Sequence, residues 1–115
     1  FKLTNIISYK AFEVVDIRVG TIVSAEENLK LNNPSIILKI DFGEEIGIKK
    51  SSAQLIKNYK PEDLINKQIA AVVNFESKQI GNLTSEVLVL GFPDHSNEPI
   101  LIEPNKIIPN GGKLF

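Results

Sequence analysis

The chain has 115 residues, 43% of them hydrophobic and 23% charged, the profile of one globular domain large enough to bury a core of its own. It has no Cys and one His, His95, which excludes disulfides, thiolate nucleophiles, Cys-ligated zinc and multi-histidine metal centres. A net charge of −1, with Arg18 the only Arg, argues against a dedicated polyanion binder, which draws its affinity from a basic excess and from guanidinium forks.

Residues 1–11 are short and partly apolar, and Thr4 or Ser8 can cap one helical turn. Ile6, Ile7, Tyr9 and Phe12 exceed what a solvated tail needs, so they are expected to pack on the domain or on a second subunit. Residues 13–25, EVVDIRVGTIVSA, predict a long strand: Val15, Ile17 and Val19 alternate with Asp16 and Arg18. Gly20 is the expected site of a bend or bulge that lets this strand serve two sheets. A polar stretch follows, with the turn pair Asn32-Asn33 before Pro34. Residues 35–42, SIILKIDF, predict a second strand with Ile36, Leu38, Ile40 and Phe42 on one face. After a turn at Gly43-Glu44-Glu45, residues 46–50 predict a third strand with Ile46 and Ile48 on the core face.

Residues 51–67 form the one good helical stretch, with Ser51 or Ser52 as caps, Pro61 at a second helical start, and Glu62 and Asp63 in the turn where the helix dipole favours acids. Leu55, Ile56, Leu64 and Ile65 are its expected buried face. Residues 68–75 predict a fourth strand, apolar on both faces and therefore central. Residues 76–84 predict an exposed loop, residues 85–90 a further apolar strand, residues 91–99 a loop, and residues 100–103 a short strand. The C-terminus is apolar again through Ile107, Ile108, Leu114 and Phe115. Short strands with a helical insertion after the third predict an all-β domain with short helices: a five-stranded oligonucleotide/oligosaccharide-binding (OB) barrel with N- and C-terminal extensions, with an immunoglobulin-like sandwich as the alternative.

Little of the sequence points to catalysis. His95 lies in a Pro-Asp-His-Ser loop whose neighbours do not converge on a reacting atom, Glu44-Glu45 and Glu62-Asp63 are explained by a turn and a helix start, and no phosphate loop or metal-ligand spacing is present. No enzyme, no metal and no cofactor is expected. Lys49, Lys50, Lys57, Lys60, Lys67 and Lys78 are interrupted by acids and read as solubilising. The stretch that stands out is NFESKQIGNLTSEVLVLGF, residues 74–92, where Lys78, Gln79 and Asn82 sit beside Ile80 and Leu83. Glu86, at the start of an apolar strand beside the loop, reads either as a salt-bridge partner of Lys78 or as a contact to a ligand amine or amide. Apolar residues at both termini point to an apolar interface, most simply a homodimer. No apolar run approaches the ~20 residues that span a bilayer, and no secretory leader is visible, so a cytoplasmic protein without membrane insertion is expected. The chain begins with Phe1 and contains no Met, so the residue of the start codon is outside it.

The blocks DIRVGTIVSAE, IDFGEEIGIKKSSAQL, YKPEDLINKQIAAVVNF, SEVLVLGF and PNGGKLF resemble the CsaA family, small export-related chaperone-like proteins, over about residues 12–114. That family is in turn similar to the tRNA-binding domain appended to methionyl- and phenylalanyl-tRNA synthetases. The resemblance implies a single OB-fold domain over residues 1–115, with residues 1–11 as an N-terminal extension and residues 100–115 as a C-terminal dimerisation extension. It implies an ATP-independent chaperone that binds unfolded or preprotein peptides, assists protein export and has the export machinery as a further partner. The implied peptide-binding residues are Asn74, Phe75, Lys78, Ile80, Leu83, Ser85 and Glu86. The alternative is a tRNA-binding module using Asn74, Lys78, Gln79 and Ser85. The wider family's signature, Asn-Leu-x-Pro-x-Lys-Met-x-Gly-x-x-Ser-x-Gly-Met, matches Asn74 and Ser85. Its Lys falls on Gln79, with Lys78 one place earlier, its Gly on Asn82, and its final Gly-Met on Val87-Leu88. CsaA-like proteins usually have Pro-Pro where this chain has Glu76-Ser77.

Overall fold

A computed structural model describes residues 5–29 and 33–115. Helix α1 is Tyr9–Glu13, and the Ser8 hydroxyl caps it by accepting from the Ala11 amide at 3.2 Å. Thr4, the other candidate cap, and Asn32 of the expected turn lie outside the described residues. Five strands then build one antiparallel sheet: β1 (Ile17–Asn28), β2 (Ser35–Asp41), β3 (Ile48–Ala53), β4 (Gln68–Val72) and the short β7 (Leu88–Val89), in the order β3-β2-β1-β4-β7. Between β4 and β7 lies a hairpin of β5 (Lys78–Ile80) and β6 (Leu83–Ser85), and after β7 a hairpin of β8 (Gly91–Pro93) and β9 (Pro99–Leu101). Helix α2 is Pro61–Leu64 and packs against β1. The mostly-strand composition and the curled sheet are those of an OB-like all-β domain.

β1 serves both halves of the sheet. Ile17 to Thr21 pairs with β4, and Thr21 to Asn28 pairs with β2. The irregularity that bends it falls between Ile22 and Ser24, not at the expected Gly20. Gly20 is needed for space instead: a Cβ there would come within 2.7 Å of both Ile40 and Phe42. Those two side chains belong to the core, which gathers Ile22, Ile36, Leu38, Ile40 and Phe42 from the first two strands and their turn, with Ile69 and Ala71 from β4. Leu64, Leu55, Val87 and Leu101 complete it.

The expected helix over residues 51–67 shrinks to Pro61–Leu64, preceded by a single turn in which the Tyr59 amide donates to Leu55 O at 3.0 Å. Ser51 and Ser52 are not caps but members of β3, because their hydroxyls find partners across strands: Ser51 donates to Val87 O at 3.1 Å, and Ser52 shares a bond with Ser35 at 3.0 Å. Pro61 does begin α2, with Glu62 and Asp63 in its first turn. The helix ends at Leu64 because Ile65 turns extended (ψ 133°) and Asn66 takes a positive φ of 73°. Ile65 is consequently exposed rather than buried. Ile46 packs on the core as expected, but Ile48 is 58% exposed. Gly47 between them has φ +83°, which breaks the alternation that would have put both on one face. The residues 91–99 expected as loop form the β8–β9 hairpin, whose mouth pairs Pro93 with Pro99. The Asp94 carboxylate accepts from the Ser96 and Glu98 amides at 2.8 and 2.9 Å and shapes its turn. These bonds and the Asn58 amide at its other oxygen, the largest influence, hold Asp94 below the usual carboxylate range.

The C-terminal segment straps the open side of β1. Gly111 N donates to Val19 O at 2.8 Å, Val19 N to Gly112 O at 3.1 Å, and Leu114 N to Ile17 O at 2.8 Å. Two side chains clamp it. The Gln68 amide exchanges bonds with Ile108, donating to its carbonyl at 2.6 Å and accepting from its amide at 3.0 Å. Arg18 donates to Gly111 O at 2.8 Å while its Nε pairs with Asp16 at 2.6 Å. The hydrogen bond from Arg18, chiefly, holds the Asp16 carboxyl below its ordinary value. A carboxyl depressed on folding contributes stability that is complete above its unfolded pKa, about 3.9, and is lost as pH falls through the folded value. Asp16→Asn is therefore expected to remove part of the loss of stability below about pH 4, read by urea unfolding at a series of pH values. An unchanged acid limb would mean that this pair does not contribute.

Candidate functional site

A groove of about 600 Å³ runs along the seam between β3 and β7. Residues 51–55 line one side and residues 85–91 the other. Phe75, Glu76, Lys78 and Ile80 line it from the β4–β5 connection and β5, and Asn97, Glu98 and Pro99 from the β8–β9 hairpin. Leu55 and Leu101, which join the hydrophobic core, also face it.

The seam is closed by a backbone bond reinforced by side chains. β3 and β7 each run parallel to β1, and so to each other, because each is two antiparallel steps away. Glu86 N donates to Lys50 O at 2.8 Å, and the Glu86 carboxylate accepts from Lys50 N at 3.0 Å. The Ser85 hydroxyl accepts from Ser52 N at 3.1 Å. Leu90 N donates to Ala70 O at 2.9 Å and Leu90 O accepts from Ile102 N at 3.1 Å, while Val87 O turns toward β3. The Ser51 hydroxyl adds a third side-chain bond, donating to Val87 O at 3.1 Å.

The structure brings together Phe75, Lys78, Ile80, Ser85 and Glu86 of the expected site, and not the rest. The expected strand over residues 68–75 ends at Val72, so Phe75 lies beyond it and is 56% exposed, outside the core. Asn74 is held elsewhere: its Oδ1 accepts from Asp16 N at 3.0 Å and its Nδ2 donates to Val14 O at 2.8 Å, joining the end of β4 to the entry of β1. Leu83 pairs with Ile80 at the hairpin end and does not face the groove. The Gln79 side chain is spent inside the hairpin, donating to Gly81 O at 2.8 Å and accepting from Thr84 at 3.0 Å. The ion-pair partner of Glu86 is Lys49 at 4.0 Å, not Lys78. Groove residues that the pattern reading missed include Leu88, Val89, residues 51–54, Glu76 and Glu98. Leu88 sits in an apolar run that reads as core, yet it is 50% exposed because β7 is an edge strand.

The lining is apolar with an acidic balance. Glu76, Glu86 and Glu98 stand against a single lysine, Lys78. Glu76 and Glu98 have no ion-pair partner among the described residues, and neither does Lys78. No group of acids and His suited to a metal ion occurs among the described residues. The arrangement offers apolar surface, backbone donors and acceptors, and carboxylates. It offers no nucleophile with an adjacent base.

Residues 17–113 match the tRNA binding domain family. Among solved structures, the chaperone CsaA of Bacillus anthracis superposes with a TM-score of 0.90 at 46% identity, covering 96% of this chain and 100% of that one. The CsaA chaperone protein of Picrophilus torridus gives 0.87 at 47% identity over the same shares. Among curated proteins, the methionine–tRNA ligase of Methanococcoides burtonii is 35% identical over 102 residues, 89% of this chain. The chain spans only 15% of that ligase's length, and a similar share of the other ligases it matches. A family match over nearly the whole chain and the two full-length superpositions lead to one assignment: this chain belongs to the tRNA binding domain family, as a CsaA-like member.

Proposed function

We propose that this chain is an ATP-independent chaperone that binds unfolded or preprotein segments in the β3–β7 groove and assists their export from the cytoplasm. The observation that carries the reading is the groove's chemistry: apolar surface ringed by three carboxylates and one lysine. Such a lining disfavours a phosphodiester backbone and suits an unfolded segment that brings apolar side chains with a cation among them. The likeness to CsaA chaperones supports it. No catalytic step is involved. Apolar area buried at roughly 25 cal/mol per Å², less the cost of ordering the client, gives weak and sequence-tolerant affinity.

A second reading, tRNA binding, is favoured by the family match and by the methionine–tRNA ligases. Of its four expected residues, Asn74, Gln79 and Ser85 are engaged within the domain, which leaves Lys78. The two readings separate by salt. A short fluorescein-labelled peptide, leucine and valine alternating with serine around one lysine, is titrated beside labelled bulk tRNA at low and physiological ionic strength. The chaperone reading predicts peptide binding that survives the higher salt. Tight tRNA binding that collapses with salt, without a peptide signal, would make the RNA role primary, since counterion release scales with the phosphates contacted.

The reading includes a homodimer, with the export machinery as a further partner. Support comes from a second, apolar cavity of about 470 Å³ that Ile17, Val19, Ile108, Leu114 and Phe115 line at the terminal strap. Ile6, Ile7, Tyr9 and Ile107 also stand exposed. Sedimentation equilibrium is expected to give a dimer that Phe115→Asp with Leu114→Asp converts to monomer. A wild-type monomer at micromolar concentration would remove the dimer from the account.

A further inference from the structure

We infer that Asn110 is a spontaneous deamidation site that the C-terminal strap keeps closed, so that lifting the strap from β1 starts the reaction. The inference is independent of the peptide-binding reading. Asn110-Gly111 is the one Asn-Gly pair in the chain. The chemistry favours that pair, because the amide nitrogen of the following residue attacks the side-chain carbonyl carbon and a glycine there has no side chain to obstruct it. The Gly111 nitrogen bonds to Asn110 Cγ, the Cγ–Nδ2 bond breaks, and the Gly111 amide proton leaves with Nδ2 as ammonia. Water then opens the five-membered imide at either carbonyl and leaves aspartate or isoaspartate.

In the folded chain both reacting groups are engaged. Gly111 N donates to Val19 O at 2.8 Å, so the nucleophile is tied into the strap's bonds to β1. Asn110 Oδ1 accepts from the Thr21 hydroxyl at 2.8 Å and from the Gln68 amide at 3.0 Å. The backbone is pinned on either side, by the paired bonds between Gln68 and Ile108 and by Arg18 at Gly111 O. The two donors on Oδ1 polarise Cγ and on their own would speed the attack, so the guard lies in the strap and not in the side chain's bonds. The strap is also where opening is cheapest: it is a terminal segment, with Ile107, Leu114 and Phe115 exposed. Isoaspartate adds one atom to the main chain, and Gly111 then cannot keep its register with both Val19 and Arg18.

The test follows conversion of Asn110 by peptide mapping and mass spectrometry at neutral pH, in the full chain and in a synthetic peptide of residues 107–115. The full chain is expected to react about a hundredfold more slowly than the peptide. Arg18→Gln releases Gly111 O without touching Asn110, and Gln68→Ala releases Ile108 while removing a polarising donor. Each is expected to react about tenfold faster than wild type, whereas loss of the donor alone would slow the reaction. Hydrogen exchange in the wild-type protein keeps the test if either variant fails to fold: the Gly111 amide is expected to exchange faster than that of Ile40 in the core, which shows the strap opening without the domain. A folded chain that reacts within a fewfold of the peptide would overturn the guard. So would folded variants no faster than wild type, or a Gly111 amide that exchanges no faster than Ile40.

Discussion

Gly111→Ala is expected to be the most damaging small substitution in the chain. The Gly111 backbone has φ +92°, and a Cβ there would lie 2.5 Å from the Phe42 carbonyl oxygen. The strained dihedral alone costs about 1–2 kcal/mol in a non-glycine residue. Relief of the contact must come from backbone that is held in place, since Phe42 N donates to Gly47 O at 3.0 Å and the Phe42 side chain is 1% exposed. Moving Gly111 instead lifts the strap from β1, breaking its bonds to Val19 and Arg18. The combined cost is about 3 kcal/mol or more, which lowers Tm by roughly 10–15 °C in a domain of this size. Gly47→Ala is the control: its φ is +83°, but nothing lies within 4 Å of the added Cβ, so it carries the strain alone. Thermal unfolding of the two variants is expected to place Gly111→Ala well below Gly47→Ala. Equal losses would show that the strap yields without cost.

Phe75→Ala combined with Leu88→Ala is expected to remove client binding and leave the fold standing. Both side chains line the groove, and they are 56% and 50% exposed, so neither is held by the core. Aromatic side chains bury about 150–250 Å² in full, so covering the exposed part of Phe75 adds about 2 kcal/mol at ~25 cal/mol per Å². Leu88 adds about 1 kcal/mol by the same reckoning. Together they account for on the order of a hundredfold in Kd, while stability shifts by less than about 1 kcal/mol. Peptide titration with urea unfolding of the same samples separates the effects. A variant that unfolds would mark these residues as structural. A stable variant with unaltered Kd would move the client elsewhere.

The architecture was legible where periodicity is strong. Ile36, Leu38 and Ile40 alternate cleanly, and β2 lies within a residue of its expected bounds. The apolar run at residues 69–73 led to a central strand, and β4 does lie between β1 and β7. The signal failed where a tertiary partner decided the matter. Ser51 and Ser52 carry cap chemistry in isolation but are strand residues here, because Val87, Ser85 and Ser35 supply partners from distant parts of the chain. Pro93 and Pro99 hid the β8–β9 hairpin by looking like loop punctuation.

The site was legible in half for the same reason. Lys78, Ile80, Ser85 and Glu86 cluster in sequence and also in space. The opposite wall, residues 51–54, is far away in sequence, and nothing in its composition marks it as a groove edge. Asn74 illustrates the reverse error in reading a motif: the resemblance suggests a binding residue, and both ends of its amide are occupied by the backbone of Val14 and Asp16.

The central claim, that clients lie in the β3–β7 groove, is tested most directly by following the backbone amide resonances of the labelled protein while the peptide is added. The account predicts shifts concentrated at Ser52, Phe75, Lys78, Glu86, Val89 and Glu98, with the terminal strap and the outer face around Lys39 unmoved. Shifts confined to the strap, or to Lys39 and its β3 neighbour Lys50, would contradict it.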